Sequence, residues 1–134
     1  MERGRARELG VVIGTSPTGP RNAITDVAGV RVGHATVLRD PSPDGRGAVR
    51  TGVTAIFPHD CLPWVERVYA GTHVLNGYGE MIGINQVNEW GLLHSPIVLT
   101  SSLAIGMAYD ATVRWRTERH AVTTSHGGDM PLVT

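Results

Sequence analysis

In Val30-Arg31-Val32-Gly33-His34-Ala35-Thr36-Val37-Leu38 the residues separate by alternation. Val30, Val32, His34, Thr36 and Leu38 fall on one side, and Arg31, Gly33, Ala35 and Val37 on the other, which is the period of two that a strand imposes. The pattern predicts a half-buried β-strand. Outward from it, Asp40-Pro41-Ser42-Pro43-Asp44-Gly45-Arg46-Gly47 is dense in turn formers. Alternation then resumes from Val49 to Phe57, with Val49, Thr51, Val53, Ala55 and Phe57 on one side. Two alternating runs joined by such a loop read as a long hairpin.

Further along, a third strand is expected from Val68 to Leu75 and a fourth from Ile97 to Thr100, with a glycine-rich loop, Asn76 to Gly83, between them. Gly33, Gly52 and Gly71 interrupt the first three strands. An interior glycine weakens a strand unless another backbone approaches there, so these positions predict tight layer-on-layer packing. One amphipathic helix is expected after Thr100-Ser101-Ser102, whose hydroxyls can cap free amides. Its apolar stripe is Leu103, Met107, Ala111 and Trp115, its polar side holds Asp110, Arg114, Arg116 and Glu118, and it runs to about Arg119. Asn85 to Trp90 adds a short helical turn, and an extended apolar segment begins at Met130-Pro131-Leu132-Val133. A single helix covers one face of a sheet and leaves the other needing a partner layer, so the chain reads as part of something larger.

The 134 residues allow one domain at most, and residues 1–134 read as a single partial domain. Twelve basic residues balance twelve acidic ones, so no charge footprint for nucleic acid or an anionic membrane is present. All twelve are arginine, which excludes Schiff-base or P-loop lysine chemistry within this segment. No apolar run approaches the roughly 20 residues of a membrane span. The charged start, Met1-Glu2-Arg3-Gly4-Arg5, precedes only Val11-Val12-Ile13 before Gly14, too short for a secretory signal, and a cytoplasmic location is expected.

The residues by themselves point weakly to chemistry. Cys61 is the one cysteine, which excludes an internal disulfide, and next to His59-Asp60 it reads as a packing or loop residue more readily than as a thiol nucleophile. The six histidines (His34, His59, His73, His94, His120, His126) show no compact ligand spacing, so neither a metal nor another cofactor is expected. His34 and His73 fall inside strand patterns, and His126 in a loop. Asn76-Gly77-Tyr78-Gly79-Glu80 fails the dinucleotide fingerprint, since its third glycine is Gly83. Two readings of this loop remain. Asn-Gly is a strong turn signal, and alternatively Gly77 and Gly79 let the backbone approach a substrate while Asn76 and Glu80 supply polar groups on its rim.

A resemblance carries the reading further. Asn22-Ala-Ile-Thr-Asp-Val-Ala-Gly-Val-Arg-Val-Gly-His-Ala-Thr36 closely resembles the N-terminal signature of the DmpA-type peptidases, the L-aminopeptidase/D-esterase family that includes β-peptidyl aminopeptidases. The likeness continues through Arg50-Thr-Gly-Val-Thr-Ala55, Leu75-Asn-Gly-Tyr-Gly-Glu-Met81, Trp90-Gly91, the serine-rich helix start and Met130-Pro-Leu-Val133. It implies an α+β fold, an αββα sandwich resembling N-terminal-nucleophile hydrolases with DmpA-like topology, only part of which lies in this chain. It also implies a precursor that cuts itself before a serine, or a threonine in some relatives, whose freed amine then serves as base for its own hydroxyl. The mature assembly would be a homo-oligomer of αβ pairs.

On this resemblance the chain is the N-terminal portion of the α part, its partners being the remainder of its own precursor and a small peptide substrate. The processing site and the catalytic residues are expected beyond Thr134, so no catalytic residue is assigned within residues 1–134. The family's glycine-rich turn maps onto Asn76 to Glu80, which makes Asn76, Gly77, Gly79 and Glu80 the candidate substrate-binding residues. The expected activity is hydrolysis of an amide or ester bond next to a free amino group. An acyltransferase or amidase of the same architecture, and a non-catalytic structural fragment, are the alternatives.

Overall fold

The computed structural model describes residues 3–119, 128 and 130–134. In chain order its elements are β1 (Arg31–Arg39), β2 (Val49–Phe57), β3 (Val68–Tyr69), α1 (Ile84–Trp90), β4 (Leu92–Leu93), β5 (Ile97–Leu99), α2 (Ile105–Arg119) and β6 (Leu132–Val133). Single 3-10 turns at Ile24–Asp26 and Ser102–Ala104 precede β1 and α2.

The hairpin forms where the alternation places it. β1 and β2 pair antiparallel from Arg31 opposite Phe57 to Arg39 opposite Val49. The Arg50 guanidinium reaches Asp40 at 2.6 Å and donates to the carbonyls of Arg39 and Val49, which closes the ladder at the loop end. The main sheet has the order β1-β2-β5-β6, and β3 and β4 form a separate two-stranded ribbon. β5 is antiparallel to β2 and parallel to β6, so the extended segment expected at Met130–Val133 becomes a strand of the main sheet.

Val133 is fully buried because it lies between two layers. With Val98 and Ile105 it forms one apolar cluster beneath α2, joined by Val53, Ala55 and Ala108. On the opposite face Leu132 joins Val87 of α1 and Leu93 of β4, with Ile97 packed against them. Successive residues of β5 and β6 thus feed opposite faces, as pleating requires. Both clusters sit at the β5–β6 end.

The β1 end is bare. All nine residues of β1 are exposed, so the strand is not half-buried as its alternation predicts. The pattern is correct for a strand, but among the described residues no layer covers Val32 and Leu38. The total accessible surface is 9990 Å², against roughly 6,800 Å² expected for a compact monomer of this mass.

Other expectations need correction. The third strand stops at Tyr69 instead of Leu75, because Ala70 donates to the Gly91 carbonyl (2.9 Å) and the chain then leaves the ladder to run beside α1, where the Thr72 hydroxyl meets Asn88 Oδ1 (2.5 Å). His73 therefore lies outside any strand. The short helical turn is a full helix, Ile84–Trp90, bounded by left-handed glycines at Gly83 and Gly91. Neither serine caps α2 through its side chain. A Cβ on Gly33 or Gly71 would meet nothing within 4 Å, and one on Gly52 would meet the Ala35 carbonyl oxygen of the adjacent strand at 2.7 Å, so layer contacts explain none of the three.

The helix spans the expected length and ends at Arg119, yet its most buried residue is Ile105, with Ala108, Tyr109 and Thr112 half-buried beside it, and of the expected stripe only Trp115 is half-buried. Leu103 is 98% exposed and Met107 72% exposed. Met107, Ala111 and Trp115 face a gap that opens between α2 and the hairpin. His120, the Gly127 and Asp129 neighbours of Gly128, and the loop position expected for His126 lie outside the described residues.

Candidate functional site

Asn76 to Glu80 forms one exposed turn. Asn76 Oδ1 accepts the Tyr78 backbone N–H at 2.9 Å, an Asx turn in which the side chain stands in for a backbone carbonyl. The Ser102 hydroxyl donates to the Tyr78 carbonyl at 3.3 Å, tying the turn to the start of α2. This is the job the serine-rich helix start performs in place of capping. Nearby, the Thr100 N–H donates to the Thr134 carbonyl (2.8 Å), and the Thr100 hydroxyl to the Gly52 carbonyl (3.1 Å). The turn, the entry to α2 and Thr134 are thus linked at one end of the sheet.

Gly77 and Gly79 leave open space where a side chain would stand. Tyr78 between them is 89% exposed, and Glu80 is exposed as well. The structure therefore brings Asn76, Gly77, Gly79 and Glu80 together on one turn with free backbone. It is not the hairpin turn that Asn-Gly suggests, since no strand flanks it on either side.

A second concavity was not legible from spacing. Between α2 and the hairpin lies a cleft of about 640 Å³, walled by Val37, Val53, Ala55 and Phe57 below and by Met107 and Ala111 above. Among the described residues no ionisable side chain lines it, and the polar groups on its walls are the hydroxyls of Thr51, Thr100 and Thr112. Trp115 closes one end by edge-on contacts with Phe57 (5.7 Å between centroids) and Trp64 (5.3 Å). The Arg31 guanidinium lies over Phe57 at 5.4 Å and pairs with Asp60 at 3.3 Å.

That ion pair anchors the loop after β2. Within the loop, Val65 and Glu66 donate to the Leu62 carbonyl, forming a helical turn that returns Glu66 to His59 and Cys61. One ligand-capable atom from each of His59, Cys61 and Glu66 lies within 4.8 Å of the others. The grouping is mixed, with a nitrogen, a sulfur and an oxygen donor, so a pattern of paired histidines or paired cysteines does not reveal it. Cys61 is exposed, a loop residue with no packing role. Its thiol is pushed up from the usual cysteine range, first by donating a hydrogen bond to the Glu66 carboxylate and then by the charge of that carboxylate. A thiol held protonated is a poor nucleophile.

At the N-terminal side, Asp26 accepts the N–H groups of Arg21 (3.1 Å) and Ala23 (3.2 Å), closing the turn that delivers the chain into β1. Asn22 within that turn has φ 48°. Among the described residues no helix is long and apolar enough to cross a membrane.

Residues 22–134 match the model of peptidase family S58. The β-peptidyl aminopeptidase BapA of Sphingosinicella microcystinivorans is 42% identical over 113 residues, which are 83% of this chain and 28% of that protein. A β-aminopeptidase from a Burkholderia species superposes with a TM-score of 0.84 at 41% identity, over 97% of this chain and 35% of its own. The L-aminopeptidase D-Ala-esterase/amidase of Ochrobactrum anthropi, described as a prototype of the serine aminopeptidases and a variant among the Ntn hydrolase fold, superposes with a TM-score of 0.79 at 43% identity, over 98% of this chain and 37% of its own. The sheet with helices on its two faces is thus part of that α+β architecture. From the Asp26 turn through the hairpin and the Asn76–Glu80 loop to β6, the chain belongs to peptidase family S58, and it spans about a third of the length of the relatives it matches.

Proposed function

We propose that the complete protein is a self-processing serine aminopeptidase that hydrolyses an amide or ester bond next to a free amino group on small peptides. The observation that carries this is the family match over residues 22–134 together with relatives of that activity at 41–43% identity. In this reading residues 1–134 are a single partial domain, the N-terminal portion of the α part. The nucleophile belongs to the remainder of the precursor. Cleavage before a serine frees an α-amine beside the hydroxyl it must deprotonate, and positioned N–H donors stabilise the oxyanion that follows. The mature protein is a cytoplasmic oligomer of αβ pairs.

The role of this chain is to present the Asn76–Glu80 turn at the end of the sheet. Gly77 and Gly79 admit a peptide backbone, Asn76 holds the turn in shape, and Glu80 faces the substrate's ammonium group. The test is hydrolysis of an aminoacyl nitroanilide by residues 1–134 alone and by the complete precursor. Only the complete precursor should self-cleave and turn over. Activity of the chain alone would overturn the assignment, as would a processed protein that ignores substrates with a free amine.

A further inference from the structure

The loop between β2 and β3 holds a donor set that the peptidase chemistry does not use. His59, Cys61 and Glu66 supply a nitrogen, a sulfur and a carboxylate oxygen within 4.8 Å of one another. Such a mixed set suits borderline divalent ions such as zinc, whose bonds to these atoms are roughly 2.0–2.3 Å long, in preference to magnesium or calcium, which take oxygen alone. Eight residues span all three donors, so little chain entropy is lost in gathering them.

The histidine carries the second observation. Its Nε2 lies 2.7 Å from the Glu66 carbonyl oxygen, and a carbonyl only accepts, so Nε2 bears the proton. The lone pair is then on Nδ1, which is buried and without a hydrogen-bond partner. A buried ring nitrogen with an unused lone pair is costly. A metal ligand has this same arrangement, one ring N–H held by a backbone carbonyl and the other nitrogen free for the ion. We propose that the His59 imidazole, the Cys61 sulfur and the Glu66 carboxylate bind one zinc-class divalent ion that clips the β2–β3 loop.

On binding, the Cys61 S–H bond breaks, its proton passes to solvent and the sulfur–metal bond forms, with no change of oxidation state. The three protein donors leave a fourth position for water. Because Trp64 lies between the donors in sequence and meets Trp115 of α2 edge-on, clipping the loop also steadies the closed end of the apolar cleft.

The experiment titrates metal-free, purified full-length protein with Co²⁺ and with Zn²⁺. One equivalent of Co²⁺ should produce a thiolate-to-metal charge-transfer band, Trp64 fluorescence should change with the same stoichiometry, and saturating Zn²⁺ should raise the unfolding midpoint by at least about 4 °C. Cys61→Ser, at an exposed position, should remove the band and most of the shift, and Glu66→Gln should weaken binding at least about tenfold. No band and no shift would overturn the site, and so would an equal response from Cys61→Ser. Peptide hydrolysis is measured in the same samples and is expected to be indifferent to the metal, so loss of this site would leave the peptidase reading standing.

Discussion

Glu80 is the residue whose chemistry is most open to test. It follows the Asn76 turn on the exposed end of the sheet, where the two glycines leave the backbone uncovered. A carboxylate there can accept a hydrogen bond from a substrate ammonium, and such a bond to a charged group contributes roughly 1.5–3 kcal/mol. Glu80→Gln in the complete enzyme should therefore lower kcat/KM by about tenfold to a hundredfold for free-amine substrates, and N-acetylated substrates should lose their relative disadvantage. If Glu80 serves only the turn, the substitution lowers the melting temperature and treats both substrates alike. Asn76 offers the contrast. Its Oδ1 already holds the Tyr78 N–H, so Asn76→Ala should loosen the turn and act on free and acetylated substrates equally.

Among the elements, α1 depends on how it begins. Gly83 stands at its start with φ +90°, and a Cβ there would come 2.5 Å from the Pro131 carbonyl oxygen. Gly91 at its end has φ +66° but open space around it. Gly83→Ala and Gly91→Ala both force a left-handed alanine, at a cost of about 1–2 kcal/mol. Gly83→Ala must in addition displace the segment that leads into β6, so denaturant unfolding should show it to be the more damaging by at least about 1 kcal/mol. Equal effects would mean that this crossing contributes nothing to stability. These features show where the sequence is legible. The hairpin was readable because nine-residue alternation on each side admits one register, and α2 because its polar side and its end at Arg119 are local properties. Its inner side was not readable, since Leu103, Met107, Ala111 and Trp115 also make an apolar series at helical spacing, and only the packing of Val98 and Val133 against Ile105 selects the other side. The third strand failed for a similar reason: Val68 to Leu75 has strand composition, but Gly91 and Asn88 draw it towards α1. For the candidate site, the turn itself was visible in its glycines, whereas the Ser102 tie depends on a chain return that no local pattern encodes, and the His59–Cys61–Glu66 grouping, though local, mixes donor types outside any paired-ligand motif.

For the molecule as a whole, both faces of the sheet are covered at the β5–β6 end and open at the β1 end. Chelation bears on this only through the loop: EDTA should lower the melting temperature of the complete enzyme and leave its hydrolysis of free-amine substrates intact, because the proposed nucleophile is a hydroxyl activated by an amine. Activity lost in EDTA and restored by zinc would place the reaction in another class. The open end has a larger consequence. The accessible surface of 9990 Å² exceeds that of a compact monomer of this mass by roughly 3,000 Å². Part of the excess is apolar, including Val32 and Leu38 of β1, Met107 of α2 and the walls of the 640 Å³ cleft. Soluble monomers rarely expose contiguous apolar patches larger than a few hundred Å², and at about 25 cal/mol per Å² covering such surface would add substantially to stability. Expressed alone, the chain should be poorly soluble, bind a hydrophobic dye strongly and show no peptidase activity. Co-expression with the remainder of the precursor should restore solubility, and amide hydrogens of β1 should then exchange far more slowly, because a covering layer now protects the strand. A soluble, dye-silent monomer from residues 1–134 would show that β1 and the cleft close by themselves.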